Sequence, residues 1–231
     1  MSAAVAQTSP TRAALFPRLG SLLAIAPLGV WVAWHLWENL YAWRGDAAWS
    51  ARAVDTMVTA EGRVYTGNPF GATLVSVVVF APLLIHTAWG LRRLAASKPN
   101  GYRFFGNAKY VLQRLSALGL LAFLAAHVYL ARISPALRSP TGHESFEDLA
   151  SHMRHHPPTL VVYLLGVLGT TFHLANGVYT AAFIHGLAAS PRAQRRMQAL
   201  SVALFLLLLG VGWGAVAGLF EAGSQFLPPT D

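Results

Sequence analysis

Four histidines stand inside apolar runs of this chain, one to a run: His35, His86, His127 and His173. An ionisable side chain at bilayer depth is costly and marks a working site by default. No aspartate, glutamate or lysine lies at mid-depth of those runs, so a proton relay built from carboxylates and histidines lacks half its parts. Neutral imidazole is, by contrast, a common metal ligand. The chain has no cysteine, which removes thiolate metal sites, iron–sulfur ligation and disulfides. The chemistry that remains is a haem iron clamped between two imidazoles, and four imidazoles make two such couples. An iron with six ligands has no position free for oxygen, so its work is electron transfer.

The elements that must hold these side chains are membrane helices. Of 231 residues, 55% are hydrophobic and 11% charged, where a soluble domain carries about a quarter charged residues. Apolar runs at about 20–42, 71–92, 110–132, 159–186 and 198–220 each reach the roughly 20 residues that cross a bilayer. The expected fold class is all-α, one integral membrane bundle of five transmembrane helices over residues 1–231. The net charge of +8 does not argue for nucleic acid, because the basic residues sit in short loops beside the spans. Eleven of the 17 Lys and Arg fall in the tail before span one, the loop after span two and the loop after span four. The positive-inside rule places that set in the cytoplasm, with the N-terminus inside and the C-terminus outside.

Depth follows from a rise of about 1.5 Å per residue. His35 lies about 15 residues, or roughly 22 Å, from the inner end of its span, and His127 about 17 residues up its own. Both belong to the outer third. His86 lies about 14 residues down from the outer end of span two, toward the inner face. His173 falls near mid-depth of a long span, and its height alone is ambiguous. By elimination the couples are His35 with His127, outer, and His86 with His173, inner.

Several neighbours fit this reading. Gly90, Ala125, Ala126, Gly169 and Gly177 leave room for a flat macrocycle, although small residues also serve ordinary helix packing. Arg18, Ser21, Gln113, Arg114 and Ser116 at the inner ends of spans one and three are candidate donors to anionic haem propionates. Pro27 should kink span one. The tryptophans and Tyr41 at its outer end read as an interfacial belt. The apolar run after Arg12 and Arg18 is too long for a secretory signal's core and reads as a retained span. Residues 1–17 read as a mobile tail, 44–69 as an outer loop, and 98–101 as an inner turn. The stretch after Pro140, with His143, His152, His155 and His156, reads as a solvated outer loop rather than a metal site. Span five carries Gly210, Gly212, Gly214 and Gly218, which suit close helix contact.

With these motifs in order, the chain resembles the dihaem cytochrome b membrane anchor of succinate dehydrogenase and fumarate reductase, the single-chain, five-helix type. The resemblance rests on Arg18-Leu-Gly-Ser21 with His35, on Pro82-Leu-Leu-Ile-His86 followed by Gly90, on Leu112-Gln-Arg-Leu-Ser116 with His127, and on Phe172-His173 followed by Asn176-Gly177. It implies two haem b groups, a proximal one on His86 and His173 and a distal one on His35 and His127. It implies a flavoprotein carrying FAD and an iron–sulfur subunit on the cytoplasmic side of a bacterial inner membrane, docked on the basic loops. It further implies a respiratory-chain role, with menaquinone near the distal haem. Glu38, Glu61 and Glu221 are the carboxylates that could serve the quinone's protons.

One departure bears on direction. Some fumarate-reducing relatives carry a glutamate two residues before the fourth ligand, and here that position is Thr171. This tilts the reading toward succinate oxidation, with electrons moving outward along a field worth roughly 2.3 kcal/mol per charge per 100 mV. Two other readings stand beside it. One is the dihaem anchor of a formate dehydrogenase or hydrogenase, which would lack an FAD-bearing partner. The other is a haem-free, proton-coupled transporter, which would be colourless.

Overall fold

The computed structural model describes residues 18–59, 61–65, 67–97, 105–138 and 144–229. The tail over 1–17 and the turn over 98–101 lie outside the described residues. The fold is nearly all helical, and five helices are long and apolar enough to cross a membrane.

Helix α1 (Arg18–Arg44) holds Pro27 inside a π-helical turn, Ala24–Gly29, and ends in a 3-10 turn, Leu40–Arg44. Proline cannot donate to the helical ladder and crowds the preceding turn; the wider π turn is the accommodation the chain makes. Helix α2 (Asp46–Ala53) and a hairpin of β1 (Thr56–Thr59) and β2 (Gly62–Tyr65) follow. The strands pair antiparallel with Thr56 opposite Tyr65. The stretch read from sequence as a loop is thus ordered into a helix and a hairpin. Helix α3 (Pro69–Ala95) starts on Asn68, whose side chain accepts from the Phe70 amide, with proline in the first turn where a missing N–H costs nothing.

Helix α4 runs over Phe105–Val128 and continues through a second π turn, Tyr129–Ile133, into a last turn, Ser134–Arg138. The polar stretch beyond it, read as a solvated loop, is helix α5 (Phe146–His155). Ser145 caps it by accepting from the Asp148 amide at 3.0 Å. Glu147 and Asp148 occupy its first turn and Arg154 its last, each complementing the helix dipole. Phe146, Leu149, Ala150 and Met153 form its buried stripe.

Helix α6 (Pro157–Ile184) closes in a Schellman motif: Gly186, at φ +77°, donates to Phe183 O, and Leu187 donates to Ala182 O. Helix α7 (Pro191–Ala222) begins on a Ser190 cap, two turns before the apolar run. The apolar run measures the lipid-facing length, and the helix continues past it into water.

Lipid sets the packing. Helices α6 and α7 lie against each other, with Gly212 closing on Val167 and Leu36. Gly166 brings α6 onto the Phe123 ring of α4. Gly218 receives Trp43, whose indole N–H donates to Gly214 O at 2.8 Å. Most other span residues keep apolar side chains exposed, among them Leu74, Val77, Leu84 and Leu206, as lipid permits. The largest buried cluster lies instead at the water-facing end, where Phe146, Leu149 and Met153 of α5 meet Ala42, Trp49, Val216 and Leu219. Helix α3 meets the bundle chiefly at the π turn of α1.

Candidate functional site

The four intramembrane histidines come together as two couples. His35 of α1 faces His127 of α4 with ring centres 5.9 Å apart and planes at 64°. His86 of α3 faces His173 of α6 at 6.3 Å and 77°. A metal-bound imidazole nitrogen sits about 2 Å from the metal and about 1 Å from its ring centre, so two axial imidazoles put their centres about 6 Å apart. Both couples have that separation.

Three of the four rings are held by their surroundings. Trp31 stacks on His35 at 4.6 Å and 9°, one helical turn away. Phe123 stacks on His127 at 5.5 Å and 16°, and the Tyr163 hydroxyl lies 3.2 Å from His127 Nδ1. His173 Nδ1 lies 3.2 Å from Gln113 Nε2 and 3.3 Å from Ser116 Oγ. Gln113 also donates to His173 O at 3.1 Å and accepts from Asn176 Nδ2 at 2.8 Å. The Tyr163 and Ser116 hydroxyls are each placed to accept from an Nδ1–H, the tautomer that leaves Nε2 basic as a metal ligand requires, whereas the Gln113 amide beside His173 Nδ1 can only donate and favours the other tautomer of that ring. Among the described residues, His86 Nδ1 is buried with no hydrogen-bond partner, and such a group costs about 1–3 kcal/mol unless something satisfies it.

Space beside the couples agrees with this donor set. A Cβ added at Gly90 or Gly169 would meet nothing within 4 Å, and at Gly177 only Gln113 Nε2. Two facing imidazoles, an unsatisfied ring nitrogen and uncrowded backbone at Gly90 and Gly169 fit a flat macrocycle held between two histidines.

The residues read as propionate donors divide into two groups. Gln113 and Ser116 lie against the His173 ring, orienting it. Ser21 Oγ donates to Arg18 O at 2.8 Å and lies 2.9 Å from His185 Nε2, while Arg18 Nε donates to Ile184 O at 3.4 Å. Arg114 packs its guanidinium 3.3 Å over the Tyr110 ring and donates to Tyr110 O, and its Nε is buried without a partner. Arg114 and the Arg18–Ser21–His185 group therefore remain the polar sets at the inner end. His185 was not singled out from the sequence, where it reads as the last residue but one of a span.

The candidate proton carboxylates sit on three different elements. Glu38 is half-buried on α1, takes a hydrogen bond from Trp34, and has Arg52 and Asp55 as charged neighbours. Glu61 is exposed at the hairpin turn and Glu221 exposed near the end of α7. Thr171 is fully buried and spends its hydroxyl on Val167 O at 2.8 Å within its own helix. The outer histidines are likewise engaged one by one: His152 with Asp148 O, His155 with Phe226 O, and His156 with Thr159 Oγ1. Among the described residues no three His, Cys, Asp or Glu are grouped to hold a bare metal ion.

Tyr163 was also missed from the sequence. It is a neutral residue in an apolar run, and its only signal is a position ten residues before His173, nearly three turns toward the outer end.

Comparison with known proteins bears on most of the chain. Residues 98–212 match the succinate dehydrogenase/fumarate reductase transmembrane subunit family. The chain is 31% identical over 212 residues to the succinate dehydrogenase cytochrome b558 subunit of Bacillus subtilis (strain 168), covering 90% of this chain and 98% of that one. A multi-pass membrane protein with five spanning helices, the chain belongs to the family of succinate dehydrogenase/fumarate reductase transmembrane subunits.

Proposed function

We propose that this chain is the membrane anchor and electron-transferring subunit of a succinate:quinone oxidoreductase, holding two haem b groups, one between His35 and His127 and one between His86 and His173. The observation that carries the reading is the meeting of four imidazoles from four helices as two couples at axial spacing. Bound there, the two haems supply one-electron transfer between the inner and outer faces of the membrane. Family membership favours this reading over a formate dehydrogenase or hydrogenase anchor.

The protein's own residues do the positioning. Gln113, Ser116 and Asn176 fix the His173 ring, while Tyr163, Phe123 and Trp31 fix the outer couple. Arg114, Arg18, Ser21 and His185 supply donors for anionic propionates at the inner end. The excess of Lys and Arg in the tail and in the loops after spans two and four favours a cytoplasmic N-terminus in a bacterial inner membrane, and those loops offer a docking face to an iron–sulfur subunit and an FAD-bearing flavoprotein. A quinone, menaquinone by family type, is reduced near the outer couple. Thr171, committed to its own helix, offers no carboxylate for compensating proton movement, which favours succinate oxidation.

The test is a dithionite-reduced minus oxidised spectrum of the purified complex with haem quantified per chain. Two haems per chain are expected. His35→Ala and His127→Ala should remove one spectral component, and His86→Ala and His173→Ala the other. A colourless subunit in an intact complex, or His35→Ala mimicking His173→Ala, overturns the assignment.

A further inference from the structure

Tyr163 stands on α6 within an apolar run, where a phenylalanine would pack as well. Its ring meets Phe123 edge-on at 5.5 Å and 86°, and the His127 ring at 5.7 Å and 81°. Those contacts need the ring alone. The hydroxyl needs a separate reason, because a polar group withdrawn from water costs free energy unless it finds a partner. Its partner is His127 Nδ1 at 3.2 Å. Helices α4 and α6 thereby hold each other's histidines: Tyr163 of α6 reaches His127 of α4, and Ser116 of α4 reaches His173 Nδ1 of α6 at 3.3 Å. The two contacts are not equivalent. At His173 the amide nitrogen of Gln113 lies 3.2 Å from the same ring nitrogen, and it can only donate. At His127 a phenol meets the ring nitrogen, and Glu144, half-buried just before α5, is a charged neighbour of that phenol. A carboxylate favours an O–H turned toward it, which leaves the oxygen's lone pairs to an N–H.

We propose that Tyr163 sets the reduction potential of the outer haem by accepting a hydrogen bond from the His127 ring, an inference that rests on the dihaem reading above. The effect passes through the ligand. An imidazole that donates its Nδ1–H to an acceptor is a more basic ligand at Nε2. A more basic ligand favours ferric iron, which carries one more positive charge than ferrous iron. The hydroxyl therefore holds the outer haem at a lower potential than a histidine without that acceptor would. Tyr163 acts only through His127, as a positioning residue. Glu144 acts through Tyr163, by making the phenol a better acceptor.

The experiment is a potentiometric titration of the purified intact complex, following the two haem components of the difference spectrum separately. Tyr163→Phe keeps the ring and removes only the hydroxyl. Expected is a raised outer midpoint: at a fixed ambient potential the ferric-to-ferrous ratio of the outer haem falls severalfold, up to about tenfold, where tenfold corresponds to about 59 mV for one electron. The inner midpoint and the haem content per chain should stay as they were. Glu144→Gln should move the outer midpoint the same way by less, and both changes together should give little more than Tyr163→Phe alone. An unmoved outer midpoint in Tyr163→Phe overturns the proposal. A lowered one does so too, because the hydroxyl then donates to the ring, and so does an equal shift of both haems, because the effect is then not local. Loss of the outer component from an assembled complex also overturns it, because the hydroxyl then serves to keep the ligand in place. A full sum of the two single shifts overturns the part given to Glu144. Should Tyr163→Phe fail to assemble, Glu144→Gln decides, and an outer midpoint that stays put overturns the proposal. Failure of the parent reading looks different: the unmutated complex has no haem component to titrate.

Discussion

The indole of Trp31 lies parallel to the imidazole of His35, ring centres 4.6 Å apart and planes 9° from coincidence. The two residues are four apart on α1, so the helix itself sets the overlap. An aromatic pair of this kind contributes about 0.5–1.5 kcal/mol beyond the area it buries. Trp31→Leu should therefore keep His35 in place as a ligand but free its plane to turn. The expected outcome in the purified complex is an altered low-spin electron paramagnetic resonance signal for the outer haem and an unaltered one for the inner. An unaffected outer signal would show that the indole has no hold on the ring.

The inner couple depends on a different support. Gln113 both donates to His173 O and accepts from Asn176, which is 7% exposed. Asn176→Leu leaves the Gln113 oxygen unpaired in a low-dielectric setting, at a cost of about 1–3 kcal/mol. The inner haem component should shift or be partly lost on purification while the outer is retained. Haem content and the difference spectrum read this directly.

Gly166 faces the Phe123 ring so closely that any Cβ must displace it, and Phe123 stacks on His127. Gly166→Ala should destabilise the subunit by about 1–3 kcal/mol through overpacking and disturb the outer haem with it. Gly210→Ala, where an added Cβ meets nothing within 4 Å, is the control and should leave both thermal unfolding and haem spectrum alone.

Ser145 caps α5 from outside the membrane. Ser145→Ala removes one accepting oxygen from the first turn and should cost about 1 kcal/mol of stability. The effect should appear in thermal unfolding and in faster amide exchange over Phe146–His155, with both haem components intact.

How much of this was legible in the sequence varies with the solvent. The spans were readable because a bilayer demands about 20 apolar residues in a row, and a histidine inside such a row cannot hide. Counting residues from the span ends groups His35 with His127 and leaves His86 with His173, and the same rings are neighbours in the structure. The outer segments were harder. Polar composition drew attention away from the three-and-four spacing of Phe146, Leu149, Ala150 and Met153, although Ser145 ahead of them was a usable start signal. The hairpin over Thr56–Tyr65 has a weak two-residue alternation and no strong turn dipeptide. Tyr163 and His185 were invisible for another reason: their tasks come from helices distant in sequence, the first from His127 and the second from Ser21.

Helix α3 meets α1 at the π turn around Pro27 and again where the Trp89 ring packs on Gly20. It brings His86, one of the two inner imidazoles. On the dihaem reading, the group held between His86 and His173 also ties α3 to α6, so the same bond that carries electrons fastens the helix into the bundle.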